Sequence, residues 1–157
     1  MVKINVVAVG KVKENYFLEA LKEYAKRLNR FCEFNLIEVP EENYQRVDSS
    51  LILKIKQKEA ENIYSHLKGY VFATAIEGKK CDSVAFSKKM RTLIDNGNGV
   101  ITFVIGGSYG LDDSIKKQAN ELISFSDMTF PHTFFRVMLL EQLYRAFCID
   151  NNVSYHK

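Results

Sequence analysis

Four short runs along the chain are dense in apolar, β-branched and aromatic residues: KINVVAVG from Lys3, CEFNLIEV from Cys32, YVFATAI from Tyr70 and VITFVIG from Val100. They alternate little between apolar and polar positions, which suits strands buried on both faces of a parallel sheet. Between them the apolar period changes. Phe17, Leu21, Tyr24, Leu28 and Phe31 recur at helical spacing and predict one face of an amphipathic helix. Ile52, Ile55, Ala60, Ile63 and Leu67, set among lysines and glutamates, predict a second and less amphipathic helix over Leu51 to Leu67. Phe86, Met90, Leu93 and Ile94 predict a third, opened by Asp82-Ser83 as capping residues. A short helix over Asp112 to Leu122 and a short strand over Ile123 to Ser126 follow. The last helix starts near His132, with Pro131 supplying a fixed φ at its entrance. The eight glycines sit at the ends of these segments, as turn residues do. The order β-α-β-α-β-α-β therefore predicts an α/β fold: a mostly parallel sheet flanked by crossover helices. There is no internal repeat, and the clearest polar loop is EENYQRVDSS, Glu41 to Ser50.

The last helix breaks the amphipathic rule. In HTFFRVMLLEQLYRAFCI the apolar residues Phe134, Phe135, Val137, Met138, Leu139, Leu140, Leu143, Ala146 and Phe147 cover most of the circumference. Only Glu141, Gln142 and Arg145 form a polar stripe, with Glu141 and Arg145 spaced for an ion pair. A helix this apolar is buried on more than one side. Its own sheet accounts for one side and a second subunit for the other, so a homodimer is expected; a central core helix in a monomer is the alternative.

A chain of 157 residues is long enough for one domain with its own core, residues 1–157. With 46% hydrophobic and 26% charged residues it is neither disordered nor a coiled coil. No apolar run approaches the ~20 residues of a membrane helix, and Ile4 to Val9 is too short for a secretory leader. Cys32, Cys81 and Cys148 are scattered and odd in number, without a CxxC spacing. They predict reduced thiols in a cytoplasmic protein, with no disulfide framework and no metal site. A net charge of +3 names no partner by itself; with a nucleic acid it suits a shaped or pre-assembled target.

Val100 to Ile115, VITFVIGGSYGLDDSI, runs a strand into a glycine turn. Gly106, Gly107 and Gly110 do not give the i, i+2, i+5 spacing of a dinucleotide fingerprint, and Leu111 stands where a phosphate loop needs its second glycine. What remains is a bared main chain that a ligand can approach without meeting a Cβ. Parallel sheets bind ligands outside the carboxyl ends of their strands. The turn after Ile76, the turn at Gly106 and the segment Phe125 to His132 are expected to converge there.

VAVGKVKENY and EYAKRL near the start, VIGGSYGL in the middle, and FSDMTFPHTFFRVMLLEQLYRAF with a terminal SYHK lie in order over essentially the whole chain. In these segments the sequence resembles the RlmH family of SPOUT-class methyltransferases, which act on the bacterial large ribosomal subunit. The resemblance implies a homodimer with a C-terminal trefoil knot, one of the rare exceptions to unknotted connectivity. It implies transfer of a methyl group from S-adenosylmethionine to N3 of a pseudouridine in 23S rRNA of the assembled ribosome. By matching position it places cofactor contacts at Thr74, Gly106, Phe125, Ser126, Asp127, Met128, Thr129 and Phe130. An adenine ring wants such an apolar slot with main-chain donors and acceptors. Two departures stand out: Thr74-Ala75 where the family usually reads Leu-Asp, and Asn152-Val153-Ser154 before Tyr155 in place of Gly and a small residue or Pro.

Methyl transfer is an in-line displacement, so positioning and exclusion of water dominate, and the acceptor imide must lose its proton. His132, Glu141, Tyr155 and His156 are the available groups, whereas His66 reads as a surface residue. Tyr155-His156-Lys157 is expected to fold over the partner subunit's cofactor pocket, with Tyr155 stacking on a base and His156 orienting or deprotonating it. Arg136 and Arg145 are expected to hold the imide oxygen or a phosphate, and Lys11 and Lys13 to grip RNA backbone. Two other functions fit the same fold: a non-catalytic ribosome-binding or assembly factor, and a SPOUT methyltransferase acting on tRNA. Cofactor binding separates the first from the methyltransferase, and the identity of the labelled RNA separates the second.

Overall fold

The computed structural model describes residues 1–157 as five strands and five α-helices. The strands are β1 (Lys3–Val9), β2 (Glu33–Val39), β3 (Tyr70–Lys79), β4 (Val100–Ile105) and β5 (Glu121–Ile123). The helices are α1 (Asn15–Leu28), α2 (Ser49–Ile63), α3 (Ser83–Asp95), α4 (Asp113–Gln118) and α5 (His132–Asp150). The sheet is parallel throughout, in the order β2-β1-β4-β3-β5.

Alternate residues of the interior strand β1 serve two cores. Ile4, Val6 and Ala8 of β1 face the larger core with Leu21 and Leu28 of α1, Phe86 and Met90 of α3, and Leu139, Leu140 and Leu143 of α5. Val7 and Val9 face a smaller core with Ala60 and Ile63 of α2 and Ile115 of α4. β1 and β4 are thus buried on both faces, as their composition predicts. β2 is not: it is an edge strand whose residues from Glu33 to Glu38 are only partly buried or exposed.

Helix boundaries follow local chemistry. Asp82 caps α3 by accepting the Ala85 amide at 2.8 Å, and Asp48 does the same for α2 with Leu51, also at 2.8 Å. Asp82→Ala should cost about 1 kcal/mol, read as a lower urea midpoint at unchanged slope. Phe31 lies past the end of α1, yet still packs, its ring stacked on Phe147 at 5.6 Å. The second helix ends at Ile63, and Tyr64–His66 form a 3-10 turn in which His66 is partly buried.

After the glycine turn the chain departs from the pattern its sequence predicts. The helix expected to reach Leu122 stops at Gln118, and the strand expected over Ile123 to Ser126 is Glu121–Ile123. Asn120 explains the shift. Its amide donates to the Val71 carbonyl at 2.8 Å, and its side-chain oxygen accepts the Val71 amide at 2.8 Å, so pairing with β3 begins early. Beyond Ile123 the Ser124 hydroxyl turns the chain out of the sheet by donating to the Ser126 carbonyl at 3.0 Å. β3 also departs from regularity: Thr74 and Lys79 both register with Ile123, so Ala75 to Gly78 arch away from the sheet between them.

α5 packs against α1 and α3, with Leu139, Leu140, Leu143 and Cys148 fully buried. Its polar stripe carries the expected Glu141–Arg145 ion pair. Phe134 is 41% exposed, and Val137 and Met138 are only partly covered, so one apolar side of the helix is incompletely covered within the chain. No helix is long and apolar enough to cross a membrane.

Candidate active site

Above the carboxyl ends of β3 and β4 lies a cavity of about 870 Å³. Three segments wall it: the arch after Thr74, the turn from Gly106 to Leu111, and the chain from Ile123 to Thr133. These are the segments whose convergence the strand order predicts.

Seven of the eight residues expected at a cofactor line this cavity: Thr74, Gly106, Phe125, Ser126, Met128, Thr129 and Phe130. Asp127 does not. Its side chain is 81% exposed and pairs with Lys80, because the Ser126 hydroxyl accepts the Met128 amide at 3.0 Å and bends the loop so that residue 127 points outward. Thr74 answers for its own departure from the family pattern. Its hydroxyl donates to the Val104 carbonyl at 2.9 Å, one residue beyond the last β3–β4 pair, so the polar atom is spent inside the sheet.

The turn itself is closed too tightly for a side chain. A Cβ on Gly106 would stand 2.6 Å from the Gly110 carbonyl carbon and 2.9 Å from its oxygen. The main chain therefore forms the cavity wall at that point, and Phe125, Met128 and Phe130 supply apolar surface elsewhere in the lining. Bare backbone facing apolar rings fits a purine nucleoside moiety. Gly106→Ala has to displace backbone and should cost about 1–3 kcal/mol while lowering cofactor affinity at least tenfold, read by thermal unfolding and calorimetry.

Some lining residues carry no functional signal in the sequence. Glu77 comes from the arch after Ile76 and is anchored by Lys116 of α4 at 2.7 Å, which holds its carboxyl below the ordinary range. Tyr109 also lines the cavity. The irregular stretch of β3 between Thr74 and Lys79 has no periodicity from which this wall could be read.

His132, at the start of α5, lines the same cavity. Its Nε2 lies 3.6 Å from a Glu41 oxygen, and its Nδ1 is buried without a partner. Burial pushes the imidazole below its ordinary pKa, against the pull of Glu41. Arg136, one turn on, is placed differently from the expectation. It is 0% exposed, with Nη1 donating to Glu38 at 2.8 Å and to the Gly10 carbonyl at 3.1 Å, and Nη2 donating to the Val9 carbonyl at 3.1 Å. A guanidinium committed in this way clamps the ends of β1 and β2 to α5 and has no free face for a phosphate or imide oxygen.

The other expected residues gather further along α5. Arg145 Nε donates to Glu141 at 2.9 Å, the Tyr155 hydroxyl donates to the same carboxylate at 3.1 Å, and His156 Nδ1 lies 3.1 Å from Arg145 Nη1. The Arg145 guanidinium covers the Tyr155 ring at 4.7 Å, and that ring meets Tyr144 edge-on at 4.8 Å. The Glu141 carboxylate holds Arg145 above its ordinary pKa, and burial with Tyr24 and Glu141 close by raises that of Tyr155. Within one chain the tail thus folds onto its own α5. Glu141 lines a second cavity of about 500 Å³, which shares Ile123, Ser124 and Phe125 with the first.

The family model described as "Predicted SPOUT methyltransferase" matches residues 2–156. A protein of Lactobacillus helveticus named ribosomal RNA large subunit methyltransferase H is 44% identical, over 98% of this chain and 99% of its own. A protein of the same name from Bifidobacterium adolescentis is 46% identical over 99% of each chain. Among solved structures, a probable methyltransferase from Bordetella pertussis shares the fold at a TM-score of 0.57 and 13% identity, over 92% of this chain and 94% of that one. A tRNA (m1G37) methyltransferase from Aquifex aeolicus does so at 0.50 and 13%, over 92% and 69%. The parallel sheet, the cavity at its carboxyl edge and near-half identity over the full length lead to one conclusion: this chain belongs to the SPOUT methyltransferase family, in the branch of the large-subunit ribosomal RNA methyltransferase H proteins.

Proposed function

We propose that this chain transfers the methyl group of S-adenosylmethionine to N3 of a pseudouridine in large-subunit ribosomal RNA, acting in the cytoplasm on the assembled ribosome. The observation that carries this reading is the full-length identity to relatives named for large-subunit rRNA methylation, joined to a cavity where seven family-matched positions meet. S-adenosylmethionine, when bound, supplies a methyl group activated by a sulfonium. The protein's part is to hold, orient and shield. The Gly106 turn and the Phe125 to Phe130 loop would hold the nucleoside moiety between bare backbone and apolar rings. The N3 proton of the acceptor leaves to a base as the new bond forms. Tyr155, His156 and Arg145 form the group proposed to receive and orient the acceptor, with Glu141 bonded to Tyr155 and Arg145, and Arg145 in turn to His156.

A homodimer belongs to the same reading, as does a C-terminal trefoil knot. The half-covered apolar residues Phe125, Val137 and Met138, beside Tyr24, offer the face on which a second copy would sit. In that arrangement the tail of one subunit, now lying beside the second cavity, would reach the cofactor cavity of the other.

Labelled S-adenosylmethionine offered with assembled ribosomes, free 23S rRNA and bulk tRNA tests the proposal, with the label mapped by nucleoside mass spectrometry. Label on a pseudouridine of assembled ribosomes alone is expected. Label on tRNA would move the chain to another substrate. No label, with no calorimetric binding of the cofactor, would favour a ribosome-binding factor that has lost catalysis.

A further inference from the structure

We propose that Glu59, buried behind the glycine turn, tilts the pocket toward the cationic sulfonium of S-adenosylmethionine and away from the neutral thioether of the demethylated product, S-adenosylhomocysteine. The inference rests on the methyltransferase reading above and adds to it a residue that sets ligand preference.

Glu59 lies on α2 and is 3% exposed. Buried carboxylates ordinarily carry a cationic partner, but this one does not. Its hydrogen bond comes from a neutral donor, the Glu42 amide at 3.0 Å, and the charges acting on it are Glu41 and Glu42, both negative. Its position relative to the cavity follows from Gly107. That residue lines the cavity, and a Cβ built on it would stand 3.2 Å from Glu59 Oε1 and 3.4 Å from Oε2. The carboxylate is therefore separated from the cavity by one glycine's backbone, beside the buried Val9 side chain.

The remaining charged and titratable groups around this wall do not cancel it. Glu41 and Glu42 reinforce it from the loop after β2. His132 faces Glu41 from α5 and is biased toward its neutral form. Arg136 is committed to Glu38, and Lys116 on the far wall is committed to Glu77.

The two ligands share their adenosine, ammonium and carboxylate groups and differ by one methyl and one positive charge. A wall of fixed negative potential therefore acts on the difference between them. At the effective dielectric of a protein wall, a unit charge within about 8–10 Å is worth on the order of tenfold in affinity after screening. Coupling is reciprocal, so the cation also favours the ionised form of Glu59. Burial first, then Glu41 and Glu42, hold this carboxyl above its ordinary range, although the Glu42 amide pulls it down. The tilt is present where Glu59 is ionised and fades as the pH falls through its raised titration.

Calorimetry on the full-length protein tests this with both ligands, for wild type and Glu59→Gln. The expected result is a loss of about tenfold in S-adenosylmethionine affinity with less than a twofold change for S-adenosylhomocysteine. Equal losses would make Glu59 a prop of the turn, and equal retention would make it irrelevant; either overturns the inference. A second measurement needs only wild type: the ratio of the two affinities should shift toward the thioether from neutral to mildly acidic pH, and a flat ratio overturns the inference even if the variant misfolds. Wild type binding neither ligand would overturn the methyltransferase reading itself, a result distinct from the others.

Discussion

Arg136→Ala is expected to destabilise the folded chain by about 3 kcal/mol, the low end for removing one member of a buried ion pair, because Arg136 is fully buried whereas its partner Glu38 is 34% exposed and regains water. For a chain of this length that is a fall of roughly 6–12 °C in Tm. The size follows from what the substitution leaves behind. Glu38 loses its guanidinium at 2.8 Å, and the Val9 and Gly10 carbonyls at the end of β1 lose their donors at 3.1 Å. Glu38 would retain only the Val12 amide at 3.2 Å. Arg136 is not an ideal fit, because its Nε is buried without a partner and burial pulls the whole group toward neutrality. Arg136→Met should therefore be less damaging than alanine, since it fills the space and removes the desolvated charge. Thermal and urea unfolding measure both variants. A stable Arg136→Ala protein that binds cofactor but fails to turn over would restore Arg136 to the acceptor site and contradict the clamp.

The contrast between Arg136 and Arg145 shows what the sequence can and cannot express. Both stand on α5 among apolar residues, and spacing along the helix separates neither from solvent nor from substrate. Arg145 has its partner at Glu141 one turn away, so that contact is readable from the helical period. The partners of Arg136 lie on β1 and β2, 98 to 127 residues earlier, and only the assembled sheet brings them near. Glu59 escaped notice for the same reason. It sits in the lysine- and glutamate-rich part of α2, which reads as a solvated face, and is buried only because the loop at Glu42 and the turn at Gly107 close over it.

β1 and β4 were plain from unbroken β-branched runs, and the convergence of three loops above the sheet followed from parallel topology. β5 was misplaced because three residues carry no period, and its position is set by the bonds of Asn120 to Val71. The outward turn of Asp127 likewise depends on one serine hydroxyl within its loop.

Removing Tyr155, His156 and Lys157 is expected to abolish methylation, by a factor of about 100 to 10,000 if the tail supplies a proton acceptor. Cofactor affinity should stay within twofold, because none of the three residues lines the cofactor cavity of its own chain and the tail is proposed to meet the acceptor, not the cofactor, in the other. The cost to stability should be about 1–2 kcal/mol, since His156 and Lys157 are exposed and only Tyr155 packs, against Tyr144 and Arg145. Tyr155→Phe refines the point. The ring would keep its edge-on contact with Tyr144 and its place under Arg145, but Glu141 would lose the hydroxyl now 3.1 Å away. If that hydroxyl only tunes Glu141 and Arg145, turnover should fall less than tenfold; if it meets the acceptor, the fall should approach that of the truncation. His156→Ala isolates the remaining group, because Arg145 then loses its contact at 3.1 Å but keeps Glu141. Single-turnover methylation of ribosomes, run beside calorimetry of cofactor binding, separates these outcomes. Undiminished methylation by the truncated chain would remove the tail from the mechanism and leave His132, at the wall of the cofactor cavity, as the group to test next.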